Sequence, residues 1–192
     1  MPHTLCVYAA SSDALDGVYF DDAAALGRLI GQGGHTLIYG GGRVGLMGTV
    51  ARAAQASGGR VIGVIPEALL AQGYEGVDQQ IVTRDLRERK AIMEARADAF
   101  IGLPGGFGTL EEVLEILTLK QLGFHSKPVV VLNTAGFYDA LMAVFEQLYA
   151  RRFAWPEYRA LYHLAADPEA AMAYLEAYRP TPLPQKWTGE GR

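Results

Sequence analysis

Short apolar runs alternate along the chain with longer stretches in which apolar residues recur every three or four positions. The runs are Thr4–Ala10, Thr36–Tyr39, Arg60–Ile65, Gln80–Thr83, Ala99–Leu103 and Pro128–Leu132. They are bounded by Gly, Pro or Asp and are rich in Val and Ile, which predicts β-strands. Most are apolar throughout. A strand covered on one face alternates apolar with polar residues, so unbroken runs predict a parallel sheet covered on both faces. Helices are predicted over 19–33, 45–57, 85–96, 109–122, 137–150 and 167–178. In 109–122, Leu110, Val113, Leu114, Leu117 and Gln121 fall along one helical face, with Glu111, Glu112 and Glu115 interleaved. The last helix opens at Asp167-Pro168, an acid at the N-cap and a proline at the first helical position. The alternation predicts an α/β architecture: a Rossmann-like, doubly wound parallel sheet with helices on both faces. It is expected to fill 1–178 as a single domain. The tail, 179–192, carries Pro180, Pro182 and Pro184 and then polar residues and glycines. It is expected to be poorly ordered or laid over the surface.

Composition narrows the function classes. A chain of 192 residues suits one domain. It can bury roughly 70% of its unfolded surface, so it needs neither disulfide nor metal to fold. The net charge of −4 argues against non-specific nucleic-acid binding. A small anionic ligand stays open, because a pocket can be positive on an acidic protein. One cysteine, Cys6, excludes an intrachain disulfide and fits a reducing compartment; the cytoplasm is the expected location. Lying in the apolar run Leu5–Tyr8, Cys6 reads as a buried strand thiol. No run reaches the roughly 18 apolar residues of a membrane span, and the N-terminus does not read as a signal peptide. His3, His35, His125 and His163 are scattered and no Cys/His spacing suggests zinc, so no metal and no cofactor are expected.

Two glycine loops carry the candidate chemistry. The first, Tyr39–Gly48 (YGGGRVGLMG), follows the second strand and opens a helix. Its G-x-G-x-x-G, with Gly41 and Gly42, permits close backbone approach to an anion at a helix N-terminus, or only a tight turn. Nicotinamide-dinucleotide binding is disfavoured: the next strand ends Val64-Ile65-Pro66, and the only nearby acid, Glu67, lies past a proline. The second loop, Leu103–Glu112, joins a strand to the 109–122 helix. Gly105, Gly106, Phe107 and Gly108 can present backbone N–H groups to a phosphate, and Thr109 can add a hydroxyl. Thr109-x-x-Glu112 is equally a capping-box spacing, in which Glu112 only binds the Thr109 N–H. A basic segment, Thr83–Lys90, reads either as a solvated helix face or as a phosphate clamp through Arg and Lys side chains.

These stretches resemble the LOG (lonely guy) family, cytokinin riboside 5′-monophosphate phosphoribohydrolases long mislabelled as lysine decarboxylases. The resemblance runs from about Leu5 to Tyr178. YGGGRVGLMG, Arg89-Lys90 with Met93, and PGGFGTLEE over Pro104–Glu112 carry it; the last fits the family's PGGxGTxxE in full. The resemblance implies that Arg89 and Glu112 are catalytic. It also implies that Lys90, Met93, Thr118 and the Gly106–Thr109 backbone contact substrate, and that the protein is a homodimer. The chain departs from the family at Ala9-Ala10-Ser11-Ser12, where Cys-Gly-Ser-Ser is frequent, and at Leu119-Lys120, where Trp-Ala is common. The implied reaction is hydrolysis of the N-glycosidic bond of a nucleoside 5′-monophosphate, cytokinin-type or AMP, releasing an adenine-type base and ribose 5-phosphate. A non-catalytic carrier of a phosphorylated cofactor, of the molybdenum-cofactor type, is the alternative. Lysine decarboxylation lacks a pyridoxal-phosphate lysine context.

Overall fold

The structure is a computed structural model and describes residues 3–184. Seven parallel strands form one sheet: β1 (Thr4–Tyr8), β2 (Thr36–Tyr39), β3 (Arg60–Pro66), β4 (Gln79–Thr83), β5 (Ala99–Gly102), β6 (Val129–Leu132) and β7 (His163–Ala165). The spatial order is β4-β3-β2-β1-β5-β6-β7. Helices α1 (Gly17–Gln32), α2 (Gly45–Ala56), α3 (Leu86–Arg96), α4 (Phe107–Gln121), α5 (Asp139–Ala150) and α6 (Pro168–Ala177) connect or follow the strands.

Strand side chains alternate between two cores. Leu5 and Val7 of β1 pack with Ala23 and Leu26 of α1, Leu46 and Val50 of α2 and Ala171 of α6. Cys6 and Tyr8 face the other way, among Met93 of α3, Val113 and Ile116 of α4 and Phe145 of α5. Both faces are therefore apolar, and the expected Rossmann-like sheet with helices on both faces is what forms. Cys6 is fully buried, and burial pushes its thiol far above the usual range, as a structural thiol behaves.

The differences from expectation have local causes. β1 ends at Tyr8 because Ala10 leaves the ladder. Its N–H donates to the Pro104 carbonyl (3.2 Å) and its carbonyl accepts from the Met47 N–H (3.2 Å). Helix α4 begins at Phe107, with Gly106 as its N-cap. The edge strand β7 was not expected; three residues, His163-Leu164-Ala165, are too few to carry a pattern. At α6, Asp167 caps as expected, accepting from the Ala170 N–H at 2.7 Å. From Tyr178, the last residue before the expected tail, to Pro184 the chain has no regular structure but lies along the body. The Tyr178 hydroxyl donates to the Ser126 carbonyl (2.9 Å), and Leu183 packs against the α4–α5 core. The remainder of the expected tail, 185–192, lies outside the described residues.

Strand order reverses direction between β1 and β5. In such sheets ligands settle in the crevice beyond the carboxyl ends of the strands at this switch point. The loops that follow β1, β2 and β5 meet there.

Candidate active site

A cavity of about 340 Å³ opens at the switch point, lined by Ala10 and Ser11 after β1, Gly40 and Gly42 after β2, and Gly106–Thr109 after β5. Arg89 and Glu112 form part of its wall. Helix α3 reaches it because Asp85 caps it, accepting from the Arg87 and Glu88 N–H groups at 2.9 Å each. The basic segment then divides. Arg84 pairs with Glu88 one turn on (3.1 Å) in solvent, while Arg89 and Lys90 turn towards α4.

Arg89 Nε donates to the Val64 carbonyl at 3.2 Å, which fixes the guanidinium against β3. Its Nη2 then stands 3.0 Å from Glu112 Oε1, with both side chains largely buried. Gly40 makes this possible: a Cβ there would lie 2.2 Å from Arg89 Nη2. Although the ion-pair distance is short, no donor is aimed well enough to satisfy Oε1, which remains a buried acceptor without a hydrogen bond. Burial raises the Glu112 carboxyl above the ordinary carboxylate range, and the Arg89 cation works against that rise. The capping-box alternative is overturned. With Gly106 at the N-cap, Thr109 is the third helical residue, and Glu112 faces Arg89 instead of the helix start.

No side chain caps the start of α4, and no acid sits in its first turn. A Cβ at Gly106 or Gly108 would meet nothing within 4 Å, and neither residue has a positive φ. The chain's own packing gives no reason for glycine at these positions. What they keep clear is the approach to the free N–H groups of a fifteen-residue helix, where an anion is stabilised.

The first glycine loop is used differently. Gly45 has φ +63°, and its N–H donates to the Asp13 carboxylate at 2.7 Å. The loop's other side is tied to the segment after β3, with the Tyr74 N–H donating to the Gly41 carbonyl at 2.9 Å. Where a dinucleotide fold would place a pyrophosphate, this chain places its own carboxylate.

Of the residues singled out in the sequence, Arg89, Glu112, Gly42, Gly106, Phe107, Gly108 and Thr109 come together in the cavity wall. Five do not. Gly41 serves the turn just described, and Gly105 lies beneath Thr109, where a Cβ would be 2.2 Å from the Thr109 hydroxyl. Met93 is fully buried in the α3–α4 core. Lys90 is held by Glu111 and by Glu115 (2.9 Å). Thr118, three turns along α4, is exposed; its hydroxyl donates to the Leu114 carbonyl (2.7 Å), and it lines a separate groove with Phe145 and Tyr149. Ala9, Ala10, Ser11 and Gly40 are wall residues that the sequence reading did not pick out as site residues. The switch-point rule applied to the loop after β1 would have found the first three.

Among the described residues, no group of three or more His, Cys, Asp or Glu side chains is placed to hold a metal ion. Among the same residues, no helix is long and apolar enough to cross a membrane.

Residues 47–175 match the family model described as "Possible lysine decarboxylase". The chain is 41% identical over 178 residues to the cytokinin riboside 5′-monophosphate phosphoribohydrolase LOG of Oryza sativa subsp. japonica, covering 92% of this chain and 74% of that one. It is 39% identical over 178 residues to the cytokinin riboside 5′-monophosphate phosphoribohydrolase LOG5 of Arabidopsis thaliana, covering 92% of this chain and 78% of that one. Among solved structures, the molybdenum cofactor binding protein of Rippkaea orientalis superposes with a TM-score of 0.72 at 26% identity, covering 92% of this chain and 97% of that one.

Proposed function

The chain belongs to the LOG family of cytokinin riboside 5′-monophosphate phosphoribohydrolases, and on that premise we propose that it hydrolyses the N-glycosidic bond of a nucleoside 5′-monophosphate at the Arg89–Glu112 cavity. The products are an adenine-type base and ribose 5-phosphate. The observation that carries the assignment is a juxtaposition. One cavity holds an uncapped helix N-terminus suited to a phosphate and, one turn further along the same helix, a buried carboxylate.

Breaking the bond to the base builds positive charge at C1′ of the ribose. The Glu112 carboxylate stabilises that charge and accepts a proton from the attacking water, whose oxygen becomes the C1′ hydroxyl; the electron pair of the broken bond leaves with the base, whose nitrogen takes up a proton from solvent while Glu112 returns its own to solvent. A carboxyl raised by burial suits a base at neutral pH. Arg89 keeps Glu112 ionised despite its burial and fixes where it points. The N–H groups of Phe107, Gly108 and Thr109 hold the phosphate, so binding energy far from the bond aligns the sugar.

Residues 1–178 act as one domain in this reading, and a cytoplasmic location is supported by the single cysteine, Cys6, which allows no intrachain disulfide. Thr118 lies outside the cavity of one chain, so its contact with substrate comes from a second copy in a homodimer. A second reading, a carrier that binds a phosphorylated cofactor without turnover, draws on the likeness to the molybdenum cofactor binding protein.

Comparison of AMP and an N6-prenylated AMP with the matching nucleosides tests the proposal. Even two of the three charge-assisted hydrogen bonds to the phosphate, at ~1.5 kcal/mol each, correspond to about 10² in kcat/KM in favour of the nucleotide. Equal kcat/KM with and without the phosphate would sink the assignment of α4 as the phosphate site.

A further inference from the structure

A second cavity, of about 390 Å³, lies on the opposite flank of α4, between its last turn and the segment 178–183. Its wall includes Lys120, Gln121, Phe124, Ser126, Tyr178 and Thr181. Lys120 is only 5% exposed. Its ammonium donates to the Leu161 carbonyl at 2.9 Å and stands 5.0 Å from the centre of the Tyr178 ring. Among the described residues no carboxylate lies within ion-pair distance, and two of its three N–H bonds have no acceptor.

The surroundings do not offset this charge. His125 is neutral as bonded: Nδ1 accepts from the Lys127 N–H (3.2 Å), which leaves the Nε2 proton for the Ile116 carbonyl (3.0 Å). Lys127 donates its ammonium to the Glu94 carbonyl (2.8 Å) and is likewise not ion-paired among the described residues. Two lysines without a counter-charge thus lie near one neutral histidine, in a chain of net charge −4. The C-terminal dipole of α4 supplies only a partial negative charge. Burial pushes the Lys120 amine down to about 8, the direction taken by a cation that lacks a counter-charge.

We propose that this cavity is a second binding site, distinct from the Arg89–Glu112 cavity, and that it takes a small organic monocarboxylate whose charge pairs with Lys120. One buried ammonium balances one negative charge; a dianion would leave its second charge buried. The walls set the rest of the ligand. Phe124, the Tyr178 ring and Leu183 offer apolar surface, while Gln121, Ser126 and Thr181 bring side-chain donors that make no other hydrogen bond among the described residues.

Thermal melting of the full chain in sodium butyrate tests this, with sodium chloride of equal ionic strength as the reference. Inorganic phosphate and the variants Lys120→Met and Lys120→Gln complete the set. Butyrate at about ten times its dissociation constant raises the wild-type melting point by roughly 3 °C or more over chloride. Both variants, which melt at or above wild type in chloride because a buried cation has been removed, show no butyrate-specific rise. Wild type unmoved by butyrate overturns the proposal. So does an equal rise in either variant, or a larger rise in phosphate than in butyrate. Because the readout is melting and not turnover, the result is independent of the activity proposed for the other cavity.

Discussion

Glu112 sits where burial and a cation oppose each other. Burial is the larger influence, so the carboxyl is raised in the folded state. Such a group favours folding while it is protonated and costs stability as pH rises through its folded value. A neutral amide escapes that cost. Glu112→Gln is therefore expected to melt at or above wild type at pH 7–8, with the difference vanishing under acid conditions. A clear drop in its melting point at pH 7 would show that the ion pair with Arg89 is structural. Arg89 acts in the opposite direction on the same carboxyl. In Arg89→Ala the effect of burial loses its main opponent, and the acid limb of the kcat/KM–pH profile moves to higher pH. An unmoved limb would remove Arg89 from the electrostatics of Glu112. Gly40 extends the argument, since a Cβ there collides with the guanidinium. Gly40→Ala is expected to lose activity by about 10-fold or more, the scale on which small misplacements act. The sequence left Glu112 open between cap and catalyst, because Thr-x-x-Glu fits both. A helix start two residues earlier than the periodicity implied removes the cap, and apolar spacing does not fix helix ends that closely.

At the scale of elements, α4 carries both halves of the proposed chemistry: its uncapped start lines the cavity and its second turn holds Glu112. Gly108 lies inside the helix with open space where a Cβ would go. Gly108→Ala should therefore stabilise the fold by up to ~1 kcal/mol while raising KM for AMP. The melting point and KM both rise; a variant with unchanged KM for AMP would exclude this wall of the cavity as the phosphate cradle. The strands were legible because burial on both faces makes each one apolar throughout, as at Val129-Val130-Val131-Leu132. The short edge strand at His163 carries no such signal. Nor does the sequence reveal that Asp13, thirty-two positions before Gly45, fills the first glycine loop, because only the tertiary fold brings them together.

For the whole molecule, the doubly wound topology puts three loops at the switch point, and so a cavity forms from residues far apart in sequence. It also leaves apolar side chains on the α4–α5 side in solvent, among them Leu114, Leu122, Phe124 and Val144. The proposed homodimer, paired isologously through the Leu114 and Val144 part of this surface, is expected to bring Thr118 of one copy to its partner and to leave Phe124 to the second cavity. Light scattering is expected to give twice the chain mass of 20.7 kDa at micromolar concentration; the single-chain mass would contradict the dimer. The claim on which the rest depends is that this chain cleaves a nucleotide with Glu112. It is tested most directly by following free base and ribose 5-phosphate during incubation of wild type and Glu112→Gln with AMP and with N6-prenylated AMP. The account predicts equimolar base and sugar phosphate from at least one nucleotide, and a kcat lower by ~10²–10³ in the variant with the fold intact. A wild type that binds both nucleotides yet releases no base from either, or a variant that keeps more than about half the wild-type kcat, would contradict it.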